Sequence, residues 1–595
     1  MTTRHEYEMG IIGNCNFLGY INKKANLNWL CWPRMDSSFV FGSLIDKDSG
    51  GDFFISPAQE SKFVSSQHYL SNTNILITEF KNEDEHFRVI DFAPRFELYE
   101  RFFKPLMVMR KVEIIKGKPE IKVRCRPKYE YGAETFTPKR GSNHIDYELD
   151  SLNMRLTTNA SINYLLNEKN FYLTKDLYFC LTWEKHLEAP LEETFEEFFR
   201  KTTSYWRTWV RRTSIPTIYQ DEVIRSSLAL KLHQYEDTGA IIASGSTSLP
   251  EHDQSGRNWD YRYCWPRDSY YTLNAFNLIS HFSELEGYSH FLQNLITHDQ
   301  HVQPMFGIDG RTELVEKELD LEGYKGNKPV RIGNGAYTQV QYDVYGQILH
   351  SLAPLYFDAR LTAIHGEQDL AIIETLLGKI EESMDLPDAG IWEFRNKVNH
   401  HLHTKLFHWL GSKVVIKIAK KFHKPTLLER AQKCKAKAVD YIESCWDEKN
   451  EFYCAATDFN YVDASTLLLV NLNYLDPKQD RARKHVEHIY NELQSPNGFL
   501  YRYKVKDDFG ETKSSFLVCM FWYIEALIRL GDIERARTLL AKVNQASNKL
   551  GLFSEDIEGD ELSQWGNFPQ TYSHVGFITC AFKLEQNMNK HIFEI

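Results

Sequence analysis

The chain has no apolar run able to cross a bilayer. Its longest strongly hydrophobic stretch, Phe516 to Ile524, is ended by Glu525, well short of the ~20 residues a membrane helix needs. A basic excess is also missing. Lys and Arg total 70 against 81 Asp and Glu, for a formal charge of −11, and this argues against nucleic-acid or anionic-membrane partners, whose phosphates need a basic face. The ten cysteines contain no close CxxC pair. Several, such as Cys519 in Phe516-Leu517-Val518-Cys519-Met520-Phe521, lie in apolar segments and read as reduced core thiols of a cytoplasmic protein. The polar opening Met1-Thr2-Thr3-Arg4-His5-Glu6-Tyr7-Glu8 lacks the apolar stretch of a signal peptide, in keeping with that expectation. No short repeat and no low-complexity segment occurs, so neither a solenoid nor a long disordered tail organises the chain.

At 595 residues the chain is long for one core, and two domains are expected. Residues 1–185 carry short alternating or β-branched runs, among them Asn74-Ile75-Leu76-Ile77-Thr78-Glu79-Phe80, Phe87-Arg88-Val89-Ile90-Asp91-Phe92 and Glu120-Ile121-Lys122-Val123-Arg124-Cys125. Turn-formers such as Asp48-Ser49-Gly50-Gly51-Asp52 separate them, which predicts an antiparallel β-sandwich. Residues 186–218 read as a pair of linker helices ending near Pro216. From 219 to 595 helical periodicity dominates: Ile224–Tyr235, Tyr342–Leu355, Pro425–Glu443, Val462–Leu472, Ser514–Leu530 and Ile533–Val543. Asp463 or Ser465 is placed to cap the run beginning near Thr466.

The chemistry-bearing residues sit between these helices. Glu393 lies in Gly390-Ile391-Trp392-Glu393-Phe394-Arg395, and Glu555 in Leu552-Phe553-Ser554-Glu555-Asp556-Ile557. Upstream, Asn258-Trp259-Asp260-Tyr261-Arg262-Tyr263-Cys264-Trp265-Pro266-Arg267-Asp268 alternates rings, cations and carboxylates. Cleaving a glycosidic bond needs one carboxylic acid to protonate the leaving oxygen and one carboxylate to activate water. Sugars offer hydroxyls to Asp and Arg and C–H faces to aromatic rings, and aromatics make up 14% of this chain.

These segments resemble glycoside hydrolase family 15, the glucoamylase-like enzymes, especially the bacterial and archaeal branch that includes glucoamylases, glucodextranases and trehalases. The motifs that carry the resemblance follow in family order. They are Ile12-Gly13-Asn14-Cys15 with Trp29 to Asp36, Thr247-Ser248-Leu249-Pro250-Glu251 with Arg257 to Asp268, Pro329 to Asn334, Trp392-Glu393, and Ser554-Glu555 with Gly566-Asn567-Phe568-Pro569-Gln570. The resemblance implies an N-terminal antiparallel β-sandwich followed by an (α/α)6 barrel, and inversion at the anomeric carbon. It implies Glu393 as general acid, Glu555 as general base, and Trp265, Arg267 and Asp268 around the non-reducing-end glucose. Tyr261 matches a tyrosine that helps hold the attacking water, and Arg331 and Trp392 complete the expected substrate-binding set. Phe394 and Lys513 depart from acidic residues found at these places in other members.

The implied mechanism needs no metal or organic cofactor. Glu393 must carry a proton, which burial beside Trp392 and Phe394 favours, and Glu555 must stay ionised, which suits a polar setting beside Ser554 and Asp556. An inverting pair lies roughly 6.5–9.5 Å apart. Plainer readings exist for several residues. Arg267 and Asp268 could form a structural ion pair at a helix start, Trp265 and Trp392 could be core rings, and Arg331 a solvated loop residue. The cluster His400-His401-Leu402-His403 with His408 lacks zinc-motif spacing and reads as loop histidines near the site. Gly333-Asn334-Gly335, with no following Lys-Ser/Thr, is a tight turn and not a phosphate loop. The substrate expected is trehalose or a malto- or isomalto-oligosaccharide, and a homo-oligomer is compatible with this reading. A glycoside phosphorylase or a non-catalytic glycan-binding protein on the same fold are the alternatives. The first would dispense with Glu555, and the second would lack one of the two glutamates.

Overall fold

The structure is a computed structural model that describes residues 4–298, 302–361, 370–457, 459 and 461–588. Its N-terminal part holds two antiparallel sheets, one of seven strands and one of eight. The alternating runs become Leu76–Lys81, His86–Phe92 and Glu120–Cys125. The first two pair Leu76 with Asp91 and Lys81 with His86. Between them the Asn82 side chain accepts hydrogen bonds from the Asp84 and Glu85 N–H groups at 3.0 and 2.8 Å, an Asx turn of the kind Asn favours. Period-two alternation divides the eight-stranded sheet. Leu76, Val89, Val108, Phe179 and Leu181 enter the main core, whereas Ile75, Ile77, Ile90, Phe92, Met109 and Cys180 face outward into a second cluster.

That second cluster explains the connecting segment. A single helix, Leu191–Arg211, lays Phe195, Phe198 and Phe199 on the outward face of the sheet. The expected linker pair is therefore one 21-residue helix. It is continuous because its apolar residues keep one stripe along the whole length.

The rest forms an (α/α)6 barrel. Among the described residues, the inner ring runs Pro266–Leu278, Asp343–Phe357, Leu402–Lys421, Ala464–Asn471, Leu517–Leu530 and Thr571–Met588, each packed on the next and the last on the first. Gln220–His233, Phe282–His298, Leu370–Ser383, Pro425–Ser444, Asp480–Leu493 and Ile533–Asn544 form the outer layer. The fourth inner helix is short and starts as a 3-10 turn, capped by Asp463, whose side chain accepts from Ser465 N at 2.7 Å. No helix among the described residues is long and apolar enough to cross a membrane.

The domains meet through buried polar contacts. Trp29 Nε1 donates to Gly245 O at 2.8 Å, and Tyr7 Oη to Gly566 O at 3.0 Å. Arg262, fully buried, pairs with Asp260 at 2.7 Å and donates to Ser37 O at 2.6 Å and Tyr131 Oη at 3.1 Å. An arginine can satisfy several acceptors from one planar fork, and here it spans the domain boundary.

Candidate active site

The segment Asp260–Trp265 leads into Pro266, which stands at the first position of the first inner helix, where its fixed φ and missing N–H do no harm. Its side chains divide between two destinations. Asp260 and Arg262 serve the domain boundary, while Tyr261 and Trp265 line the pocket at one mouth of the barrel. Tyr261 Oη donates to Glu555 Oε1 at 2.7 Å, and Trp265 Nε1 donates to Glu393 Oε1 at 2.9 Å. This one stretch thus touches both glutamates singled out in the sequence.

Glu393 occupies a strained and tightly held loop. Its φ is +62° and that of Gly390 is +70°. Such a backbone for a glutamate persists only where its surroundings over-determine it. Gly390 N donates to Asp388 Oδ1 at 3.2 Å, and Gln339 Nε2 donates to Glu393 O at 3.0 Å. A Cβ at Gly390 would lie 2.6 Å from the His401 ring, and that ring also stacks on Phe394. The carboxyl is not in an apolar shell. Arg267 Nη2 donates to Glu393 Oε1 at 3.0 Å, on the same oxygen as Trp265. Trp392 is aimed by Asp463, which accepts its Nε1–H at 2.8 Å, so the cap of one inner helix also sets a pocket ring.

Glu555 departs further from expectation. It is fully buried and does not line the cavity, from which Tyr261 separates it. Asn567 N donates to its Oε2 at 3.1 Å. Gly566, φ +74°, is required beside it, since a Cβ there would stand 2.6 Å from the Glu555 Cβ. Burial first, and then the Glu251 carboxylate, push Glu555 up to about 8 against the Tyr261 and Asn567 hydrogen bonds. Asp556 is raised as well, by burial and by Glu555. The polar neighbours Ser554 and Asp556 are themselves buried.

Arg267 and Asp268 lie at the buried end of the pocket. Their ion-pair contact of 3.6 Å exists, and Arg267 also donates to Gln341 Oε1 at 3.0 Å. Asp268 Oδ2 is buried without a protein hydrogen bond. Burial raises Asp268 to about 7, with Arg267 opposing and Glu393 adding to the rise. Arg331 is not in the lining. Its guanidinium donates to Gly256 O, Asn258 O and Glu318 Oε1, and stacks 4.7 Å over Trp259 from outside. The expected substrate contact there is replaced by a hold on the pocket wall. Lys513 is exposed and outside the lining, whereas Phe394 is in it.

The His cluster divides: His400 and His401 precede the Leu402–Lys421 helix, as loop residues would, and the other two do not. His403 and His408 lie within the Leu402–Lys421 helix, inside the barrel. Burial lowers His403 well below its ordinary value and His408 to about 3. Among the described residues no group of three or more His, Cys, Asp or Glu is placed to hold a metal ion. Asn334 of the glycine-rich turn caps the Gly335–Thr338 turn by accepting from Ala336 N.

The pocket is open at its mouth, and its empty space counted together with the adjoining solvent is about 900 Å³. Several of its residues were not singled out from the sequence: Glu251, Trp259, Gln339, Arg395, Arg502 and Asp507. Glu251 pairs with Arg502 and accepts from Trp259 Nε1 at 3.3 Å. Glu251 stood in a quoted motif, and Arg502 lies in Tyr501-Arg502-Tyr503, which repeats the ring–cation alternation of the first segment.

A β-sandwich on an (α/α)6 barrel, with one carboxyl, an arginine and aromatic rings lining a pocket at one mouth and a second carboxyl buried behind Tyr261, defines a two-domain glycoside hydrolase. The sequence model of glycosyl hydrolases family 15 matches residues 217–582, and that of the trehalase-like N-terminal domain matches residues 5–156. The chain belongs to glycosyl hydrolase family 15. It is 31% identical over 578 residues to a trehalase of Thermoplasma acidophilum, covering 96% of this chain and 98% of that one. It is 30% identical over 603 residues to a trehalase of Mycobacterium tuberculosis, covering 94% and 87%. A bacterial glucoamylase solved with acarbose shares the fold with a TM-score of 0.72 at 14% identity, covering 98% of this chain and 95% of that one.

Proposed function

We propose that this protein hydrolyses trehalose with inversion, Glu393 acting as general acid and Glu555 as general base. The observation that carries the reading is the arrangement around Tyr261 and Trp265. One short segment hydrogen-bonds both carboxyls, with Tyr261 and Trp265 lining the pocket. Arg267 Nη2 donates to Glu393 Oε1 at 3.0 Å. Sugar hydroxyls entering beside Arg267 and Asp268 compete for that guanidinium. The Glu393 proton is delivered to the glycosidic oxygen. Water held near Tyr261 loses a proton toward Glu555, either directly as the tyrosine shifts or through its hydroxyl, and attacks the opposite face. Trehalose as substrate is supported by relatives of that name that match nearly the whole chain at 30–31% identity. Nine of the ten cysteines are buried, which suits the core thiols of a cytoplasmic protein.

Proton NMR of trehalose cleavage tests this reading, with maltose and isomaltose as comparison substrates. Early release of one β- and one α-glucose from trehalose, faster than from the other two, is the expected result. Glu393→Gln and Glu555→Gln each lose roughly 10²–10⁴-fold in rate. Near-normal turnover by either variant removes its assigned role. Sugar phosphate formed only with inorganic phosphate present overturns hydrolysis in favour of phosphorolysis.

A further inference from the structure

The exposed end of the pocket is bounded by a wall assembled from separate loops. Phe509, 37% exposed, packs edge-on against Trp259 with ring centroids 4.9 Å apart. The Arg395 guanidinium lies 4.8 Å over Trp259 and 5.3 Å over Phe509, and Glu316 grips it at 3.0 and 2.7 Å. Residues 503–510 are fastened on both sides. Toward the first barrel loop, Arg257 donates to Asp507 Oδ1 at 2.5 Å and to Gly510 O at 3.1 Å. Toward the Glu393 loop, Arg395 N donates to Asp508 Oδ2 at 2.5 Å. Within the loop, Tyr503 Oη donates to Asp507 Oδ2 at 2.5 Å.

We propose that the 503–510 loop, tied across the pocket mouth through Arg257 and Arg395, sets chain length by leaving room for one sugar beyond Glu393. The inference rests on the reading of Glu393 as general acid. With the non-reducing-end sugar beside Arg267 and Asp268, the leaving sugar falls between Glu393 and the rings of Trp259 and Phe509. A third sugar must pass where Phe509 and the Asp508–Arg395 contact stand. These fastenings are charge-assisted and lie on both flanks of the loop, so a longer chain has to break them before it can bind. The substrate class is therefore the disaccharide, and oligosaccharides extended on the leaving side are excluded.

The test compares kcat/KM on trehalose, on trehalose carrying one further α-glucose, on maltose and on maltotriose, for the protein and its D508A/F509A variant. The expected discrimination against each trisaccharide is about 100-fold in the parent, narrowing by about tenfold in the variant. Equal cleavage of trisaccharide and disaccharide by the parent overturns the proposal. So does an unchanged ratio in a variant that still cleaves disaccharide. Absence of trehalose cleavage, by contrast, sinks the trehalose reading while the maltotriose-to-maltose ratio still reports on the wall. If the loop variant loses turnover altogether, calorimetric titration of the same sugars into Glu393→Gln, with and without the loop changes, decides. Trisaccharide binding that appears only with the loop changes supports the wall, and equal binding without them refutes it.

Discussion

The protonation of Glu555 can be moved in opposite directions by two substitutions. Glu251 is the neighbouring carboxylate that helps raise it, and Tyr261 donates the hydrogen bond that holds it down. At an effective dielectric of about 20, a unit charge within about 6 Å is worth roughly 2–3 kcal/mol, or about two pH units. Glu251→Gln removes that charge yet keeps an oxygen for Trp259 Nε1, and it frees Arg502 from its partner. Both effects favour ionised Glu555. The acid limb of kcat/KM, where the base becomes protonated, then moves down by about one to two pH units. Below the original limb, trehalose cleavage rises about 10–100-fold at fixed pH. Tyr261→Phe deletes a hydrogen bond to a charged group, worth roughly 1.5–3 kcal/mol, and moves the limb up by about one to two units. The assay is kcat/KM on trehalose from about pH 5 to about pH 10, which reports ionisations of the free enzyme. Because Glu251, Glu555 and Asp556 interact, the limb belongs to the group of three, and the direction of movement is what counts. Shifts of the same sign in both variants, or an unmoved limb in Glu251→Gln, refute the assignment of Glu555 as base.

Other consequences concern the scaffold. Arg262→Leu strands the buried Asp260 carboxylate and is expected to cost roughly 3–5 kcal/mol, read as a lower Tm and denaturation midpoint; an unchanged midpoint contradicts a structural ion pair. Gly566→Ala, at φ +74° and 2.6 Å from the Glu555 Cβ, is expected to lower kcat by at least about tenfold through a displaced base, checked by kinetics beside a melting curve. Burial raises Asp268 and Asp343 to about 7 and Asp388 and Asp463 to about 6. The folded chain therefore binds more protons at these carboxyls than the unfolded one, whose Asp groups titrate near about 4. Their contribution is whole below about pH 4 and is lost as pH rises through 6 and 7. Buried histidines such as His233 and His485, lowered to about 4, oppose this only up to about pH 6.5. Urea midpoints should thus fall between about pH 6.5 and 8, and Asp343→Asn should flatten that fall; a rising midpoint contradicts the buried-acid account.

Much of the architecture could be read from residue order alone. Alternation at Asn74–Phe80 and Phe87–Phe92 marks strands because one sheet face is committed to a core. The runs at Pro425 and Ile533 mark helices because their apolar stripe recurs with helical period. Tyr261, Trp265, Arg267 and Asp268 were legible together because they are close in sequence. Glu251, Arg502 and Asp507 were not, since their meeting depends on which loops the barrel brings to one mouth. The depth of Glu555 was not legible for a related reason. Ser554 and Asp556 are polar, but a three-stranded sheet, Ser515–Phe516, Asp556–Glu558 and Ser563–Trp565, closes over them. Sequence neighbours report polarity and not depth. The linker helix was split in expectation because the sheet face that it covers lies in another part of the chain.

The segment from Asp260 to Trp265 has a consequence for how such enzymes can change. Successive residues answer to different masters: Asp260 and Arg262 to the sandwich, Tyr261 and Trp265 to the carboxyls. The two domains are thereby coupled through one short segment. A barrel released from its sandwich, or grafted onto an unrelated one, would lose the acceptors at Ser37 and Tyr131 that hold Arg262, and with them the alignment of the tyrosine on Glu555. New specificities in this lineage are then expected to arise at the loops around the mouth, where a change leaves that alignment intact, and not by exchange of whole domains.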